Sequence, residues 1–66
     1  MTPKERADII RALMAGHKMT MRRLERLTGL SYHTIRNLLD GKHAVKYEPT
    51  LQKVENALGV KAKSLI

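Results

Sequence analysis

Apolar residues recur along this chain at helical spacing, in runs closed by glycines. Ile9, Ile10, Leu13 and Met14 form one stripe opposed by Lys4, Asp8 and Arg11, which predicts a first helix over about residues 3–15. Thr2-Pro3-Lys4-Glu5 predicts its start. The Thr hydroxyl accepts from the Glu5 amide, the Glu5 carboxylate reaches back to the Thr2 amide, and Pro takes the first helical position. Gly16 is expected to supply the left-handed residue that ends the helix. Thr20 predicts the next N-cap, with Met21, Leu24 and Leu27 at helical spacing and Gly29 closing a short second helix over about residues 20–28.

Leu30 and then Ser31, a third N-cap, predict a third helix over about residues 31–39, ended by Asp40-Gly41. Two helices joined by a tight Gly-containing turn are a helix-turn-helix. In the third helix Thr34, Ile35, Leu38 and Leu39 share one arc, and Tyr32, His33, Arg36 and Asn37 share the other. Lys42 to Glu48 reads as a polar, basic loop, and Pro49 opens a fourth helix whose Leu51, Val54, Ala57 and Leu58 face the core until Gly59. Val60 and Leu65 are spaced to bracket a last helical turn near residues 61–66. The pattern predicts an all-α single domain, a compact bundle of five short helices over residues 1–66.

Composition narrows the function classes. A chain of 66 residues has room for one modest core and little for a deep substrate pocket. With two Tyr, no Phe and no Trp, that core must be aliphatic. The absence of cysteine excludes disulfide staples and thiolate metal sites. No apolar run approaches the ~20 residues of a membrane span. Lys4, Glu5, Arg6 and Asp8 stand where a signal peptide needs apolar residues, so a cytoplasmic protein is expected. His17, His33 and His43 lack close metal-ligand spacing. No carboxylate is placed to orient a Ser–His pair, and there is no Gly-rich phosphate loop. The expectation is a protein with no catalytic residues, no metal and no cofactor. Glu5 and Asp8 read as the polar side of the first helix, and Met14, Met19 and Met21 as fillers at the core or its edge.

Charge adds a partner class. Thirteen Lys and Arg against six Asp and Glu give a net charge of +7 and draw the chain toward polyanions. Solubility alone would also account for that excess, so its distribution has to decide. No acidic residue lies among the four side chains of the third helix's outer arc.

From Thr20 to Ile35 the sequence resembles the phage Cro and repressor-type helix-turn-helix family, also called XRE-type. The matching features are Thr20 and Leu24 in the second helix, Gly29 in the turn, and Ser31, Thr34 and Ile35 opening the third. Asp40-Gly41-Lys42 resembles that family's Asn-Gly-Lys ending, and Ala57-Leu58-Gly59-Val60 with Leu65 resembles its closing segment. Three positions depart. Met21 stands where Gln is common, so a phosphate contact is missing or passes to Arg22; Leu39 stands where Glu is common, which removes a possible pairing with the first helix. The loop before the fourth helix is slightly longer than usual. The resemblance implies a compact five-helix domain that binds operators as a dimer. Its third helix would lie in the major groove, with half-sites roughly 34–36 Å apart.

Within that frame the outer arc carries the readout. Arg36 can present a guanidinium fork to guanine O6 and N7, and Asn37 can pair bidentately with adenine N6 and N7. His33 can donate to guanine N7 or a phosphate, and Tyr32 can bond a phosphate or pack on a thymine methyl. The plain alternative is a solvated helix face. Thr20 and Ser31 cap helices whose amides form natural phosphate sites, and Arg22, Lys42 and Lys46 add charge. Their alternatives are capping alone and solvated charge. Arg23, Arg26, Lys53, Lys61 and Lys63 read as general surface charge. Leu65 and Ile66 either close the core or form a dimer interface, and both readings stay open here.

The function expected is a sequence-specific double-stranded DNA-binding regulator. It would be a Cro-like repressor acting as a homodimer on an operator of two-fold symmetry, with no membrane partner. The alternative is an antitoxin or other protein-interaction module on the same fold. Single-stranded or RNA binding is disfavoured, because stacking platforms need aromatics and only Tyr32 and Tyr47 are present.

Overall fold

A computed structural model describes residues 1–42 and 48–65, and in them every regular element is an α-helix. In chain order these are α1 (Pro3–Gly16), α2 (Met21–Thr28), α3 (Tyr32–Leu39) and α4 (Glu48–Leu58). None of them is long and apolar enough to cross a membrane. α1 packs on α3, and α2 packs on both α3 and α4. Lys46, His43 and Tyr47 of the predicted loop, and Ile66, lie outside the described residues.

α1, α2 and α3 each start where a side-chain hydroxyl accepts from an amide that lacks an intrahelical partner. Thr2 accepts from the Glu5 amide at 3.1 Å while Glu5 accepts from the Thr2 amide at 3.1 Å, closing the reciprocal box the sequence predicts. Thr20 accepts from the Arg23 amide, and Ser31 from the Thr34 amide, both at 3.2 Å. The ends are less regular. Gly29 and Gly41 both take the left-handed conformation. Gly41 is doubly constrained, since a Cβ there would meet the Lys4 Cα at 3.3 Å, against the start of α1.

The end of α1 corrects the expectation for Gly16, which stays helical. The left-handed residue is Lys18, at φ 52°, two positions later. Its amide bonds the Ala15 carbonyl at 3.1 Å and the Met19 amide bonds the Met14 carbonyl at 2.8 Å. That pair of bonds is a Schellman closure, and Met19 against the core supplies its apolar contact. Packing of Met19 has outweighed the local preference for glycine.

Ile10, Met14, Leu24, Ile35, Leu38, Leu39, Leu51, Val54, Leu58 and Leu65 form the core, with Leu13, Met19, Met21, Leu30 and Ala57 packed at its edge. Burying each large aliphatic side chain contributes about 1.5–3 kcal/mol relative to exposure. Two expected core residues are outside it: Ile9 is exposed, and Leu27 is 53% exposed. In their place Arg6 and Ala7 turn inward, because the buried phase of α1 runs Arg6, Ala7, Ile10, Met14.

The fifth helix is replaced by a hydrogen-bonded turn over residues 62–65. Lys63 takes φ 66°, which a helix cannot continue through. The amides of Lys63 and Leu65 instead donate to the two oxygens of the buried Glu55 carboxylate, each at 2.9 Å. The buried Arg6 donates from Nε to the Leu65 carbonyl oxygen at 2.8 Å. Leu65 is thereby held in the core at 1% exposure. Of its two expected roles it takes closure of the core, which leaves its side chain no surface to offer a second copy.

Candidate nucleic-acid interface

The rigid unit under the candidate site is the α2–turn–α3 pair. Leu24 and Thr28 are the buried positions of α2, so Arg22 and Arg26, two residues either side of Leu24, lie on its opposite face. The Thr28 hydroxyl donates to the Leu24 carbonyl at 2.7 Å and accepts from the Leu30 amide at 3.2 Å. That hydroxyl bridges the last turn of α2 to the linker. Gly29, at φ 73°, then reverses the chain, its amide bonded to the Glu25 carbonyl at 2.8 Å. Ser31 starts α3 two residues on.

α3 separates its faces as the sequence predicts. Ile35, Leu38 and Leu39 are buried and Thr34 is half-buried. On the other side Tyr32, His33 and Arg36 are exposed, while Asn37 is half-buried at the margin. Tyr32 is 51% exposed, unusual for the one aromatic side chain among the described residues. None of the four lies under a neighbouring helix.

Arg36 is already engaged. Its Nε donates to Asp40 Oδ2 at 3.1 Å, and its Nη1 donates to the Tyr32 hydroxyl at a longer 3.4 Å. The Asp40 bond, then the Tyr32 bond, raise the guanidinium pKa above its ordinary value, so Arg36 stays cationic at any working pH. Asp40 also takes Arg11 of α1, whose Nη2 lies 3.5 Å from Oδ1. The Arg11 Nε donates to the Leu39 carbonyl at 2.8 Å. α1 therefore reaches the end of α3 through a backbone acceptor, and the carboxylate that Leu39 lacks is not needed for the tie.

Among the expected phosphate-binding residues, Thr20, Arg22, Ser31 and Lys42 are all exposed. Thr20 and Ser31 are engaged as helix caps, and Ser31 also shares a hydrogen bond with the Thr34 hydroxyl at 3.0 Å. Capping uses a hydroxyl as acceptor and leaves other amides of the helix N-terminus open, so it does not preclude a phosphate there. Lys42 follows α3 directly, its amide bonded to the Asn37 carbonyl at 3.0 Å. Arg11 and Asp40 are the polar groups that sequence reasoning passed over. Their signal was position: Asp40 lies four residues after Arg36, one turn along the same face.

A family model described as the Cro/C1-type HTH DNA-binding domain matches residues 10–66. No match was found among curated proteins or among solved structures.

Proposed function

The chain belongs to the Cro/C1-type helix-turn-helix family of DNA-binding domains, and on that premise we propose a repressor that reads an operator in double-stranded DNA through the exposed face of α3. In this reading Arg36 and Asn37 contact base edges, with Tyr32 and His33 at the N-terminal end of the same face. Thr20, Arg22, Ser31, Lys42 and Lys46 hold phosphates and set the register. Repression follows from occupancy, by excluding polymerase from the site, in the cytoplasm where the DNA lies.

The observation that carries this reading is the exposure of Tyr32, His33 and Arg36 on a helix whose opposite face buries Ile35, Leu38 and Leu39 in the core. Size supports a homodimer on DNA. The longest principal extent is 24 Å, shorter than the roughly 34–36 Å between half-sites, so a two-fold operator takes one copy on each half.

Selection from random duplexes tests the proposal. The expected result is an enriched motif with two-fold symmetry and half-sites one helical turn apart. Lys42→Ala should then weaken binding to every sequence alike and flatten the salt slope by about one unit. Failure to enrich any motif at low salt would defeat the proposal.

A further inference from the structure

Resting on the readout just proposed, the geometry points to Asp40 as a positioning residue that sets how sharply Arg36 discriminates among base pairs. Tyr32 and Arg36 of α3 and its C-cap Asp40 follow one another at four-residue spacing and lie in one stripe. Of the five N–H donors on an arginine, Asp40 takes the one on Nε and Tyr32 takes one on Nη1. Both donors on Nη2 and one on Nη1 remain. These make the terminal fork that matches two adjacent acceptors such as guanine O6 and N7.

Stability alone gives a poor account of a carboxylate at this place. Asp40 follows the last residue of α3, where the helix dipole disfavours negative charge, and its order after Arg36 is the weaker one for a helical ion pair. In a chain of net charge +7 bound to a polyanion, it also removes attraction beside the reading face. What it supplies is order. It meets Arg36 on one side and Arg11 of α1 on the other, so one oxygen is anchored to the scaffold while the second aims a side chain that would otherwise sample many rotamers. An arginine held in this way loses less freedom on binding a matching base. Its charge, paired with Asp40, is also less drawn to phosphates at random. Asp40 thereby exchanges affinity for specificity.

The test compares wild type, Arg36→Ala, Asp40→Ala and Arg11→Gln on the selected duplex, its single-base-pair variants and a scrambled duplex. Arg36→Ala identifies the base pair that Arg36 reads, as the one whose preference it flattens. Asp40→Ala should bind scrambled duplex more tightly than wild type. It should also lose roughly 2- to 12-fold of the preference at that same base pair, the ordering cost of one side chain expressed as a ratio. Arg11→Gln removes the anchor on Oδ1 but leaves the Asp40–Arg36 pair itself, so the preference should fall by clearly less than in Asp40→Ala. If Asp40→Ala does not fold, Asp40→Asn carries the test, because it keeps an acceptor oxygen and loses the charge.

An unchanged preference in the Asp40 variant, or an equal loss in Arg11→Gln, overturns the inference. A wild-type motif that Arg36→Ala leaves intact overturns it too, while the DNA-binding proposal stands. A wild type that selects nothing removes both.

Discussion

Arg6 and Arg36 both sit on helices and both donate through Nε, yet they belong to different parts of the molecule. Arg6 is 1% exposed and gives its bond to the Leu65 carbonyl, 59 positions away. The Arg36 side chain is 56% exposed and gives its bond to Asp40, four positions away on the same face. The first pairing is made in a low-dielectric interior and holds a chain segment that has no helix of its own. The second stands in solvent, where an ion pair adds little to folding stability and can instead orient a side chain. Burial separates a polar group that builds the fold from one free to act on a partner.

The largest expected effect lies on the buried side. Glu55→Ala leaves the amides of Lys63 and Leu65 without their acceptor, and should cost about 3 kcal/mol, two hydrogen bonds to a charged group at about 1.5 each. That is a large part of the stability a chain of this size can hold. Urea denaturation measures it. A loss below about 0.5 kcal/mol, the scale of an ordinary surface substitution, would mean that the carboxylate does not hold the terminal turn.

Arg36→Ala should do the reverse. The denaturation midpoint should stay near wild type, while preference at one base pair falls roughly 5- to 150-fold, the worth of one good bidentate contact. Equal losses on cognate and scrambled duplex would remove Arg36 from the readout.

Much of this division was legible from residue order. The caps at Thr2, Thr20 and Ser31, the left-handed Gly29 and Gly41, and the two faces of α3 are local features, and each follows from a few neighbouring residues. What escaped was charge at a buried phase. Arg6 lies four residues before Ile10, and Glu55 four after Leu51 and three before Leu58, so helical spacing alone puts both on the core side. Residue type argued for the surface, and the same weighting drew Ile9 and Leu27 inward. The interior claims those charged groups because the chain after α4 offers backbone donors and acceptors that need partners. Nothing local to Arg6 announces a carbonyl 59 positions away.

Lys18 sharpens the comparison from a third direction. It is exposed and cationic, stands in neither polar cluster, and carries a left-handed backbone that glycine adopts without strain. Lys18→Gly should stabilise the domain by about 1 kcal/mol, read as a rise in the urea midpoint. Preference among base pairs should not move. A change in preference would show that the turn between α1 and α2 reports to the reading face.

The smallest effect separates two glutamates that accept backbone amides, Glu55 inside and Glu5 outside. The Thr2 amide, and then the Thr2 side chain, hold the Glu5 pKa below its ordinary value. A carboxylate whose pKa is lowered by folding stabilises the native state above its unfolded value, and that contribution is lost as pH falls through the folded value. Stability of wild type should therefore include a small acid-side decline over that window. Glu5→Gln keeps an acceptor for the Thr2 amide, since the capping box accepts either residue, but it cannot titrate. The difference between the two denaturation profiles isolates Glu5 from every other carboxylate. It should shrink as pH falls through the window and be flat above it. A difference that grows on acidification would have the wrong sign, and would move the origin of the lowered pKa from the cap to the unfolded chain.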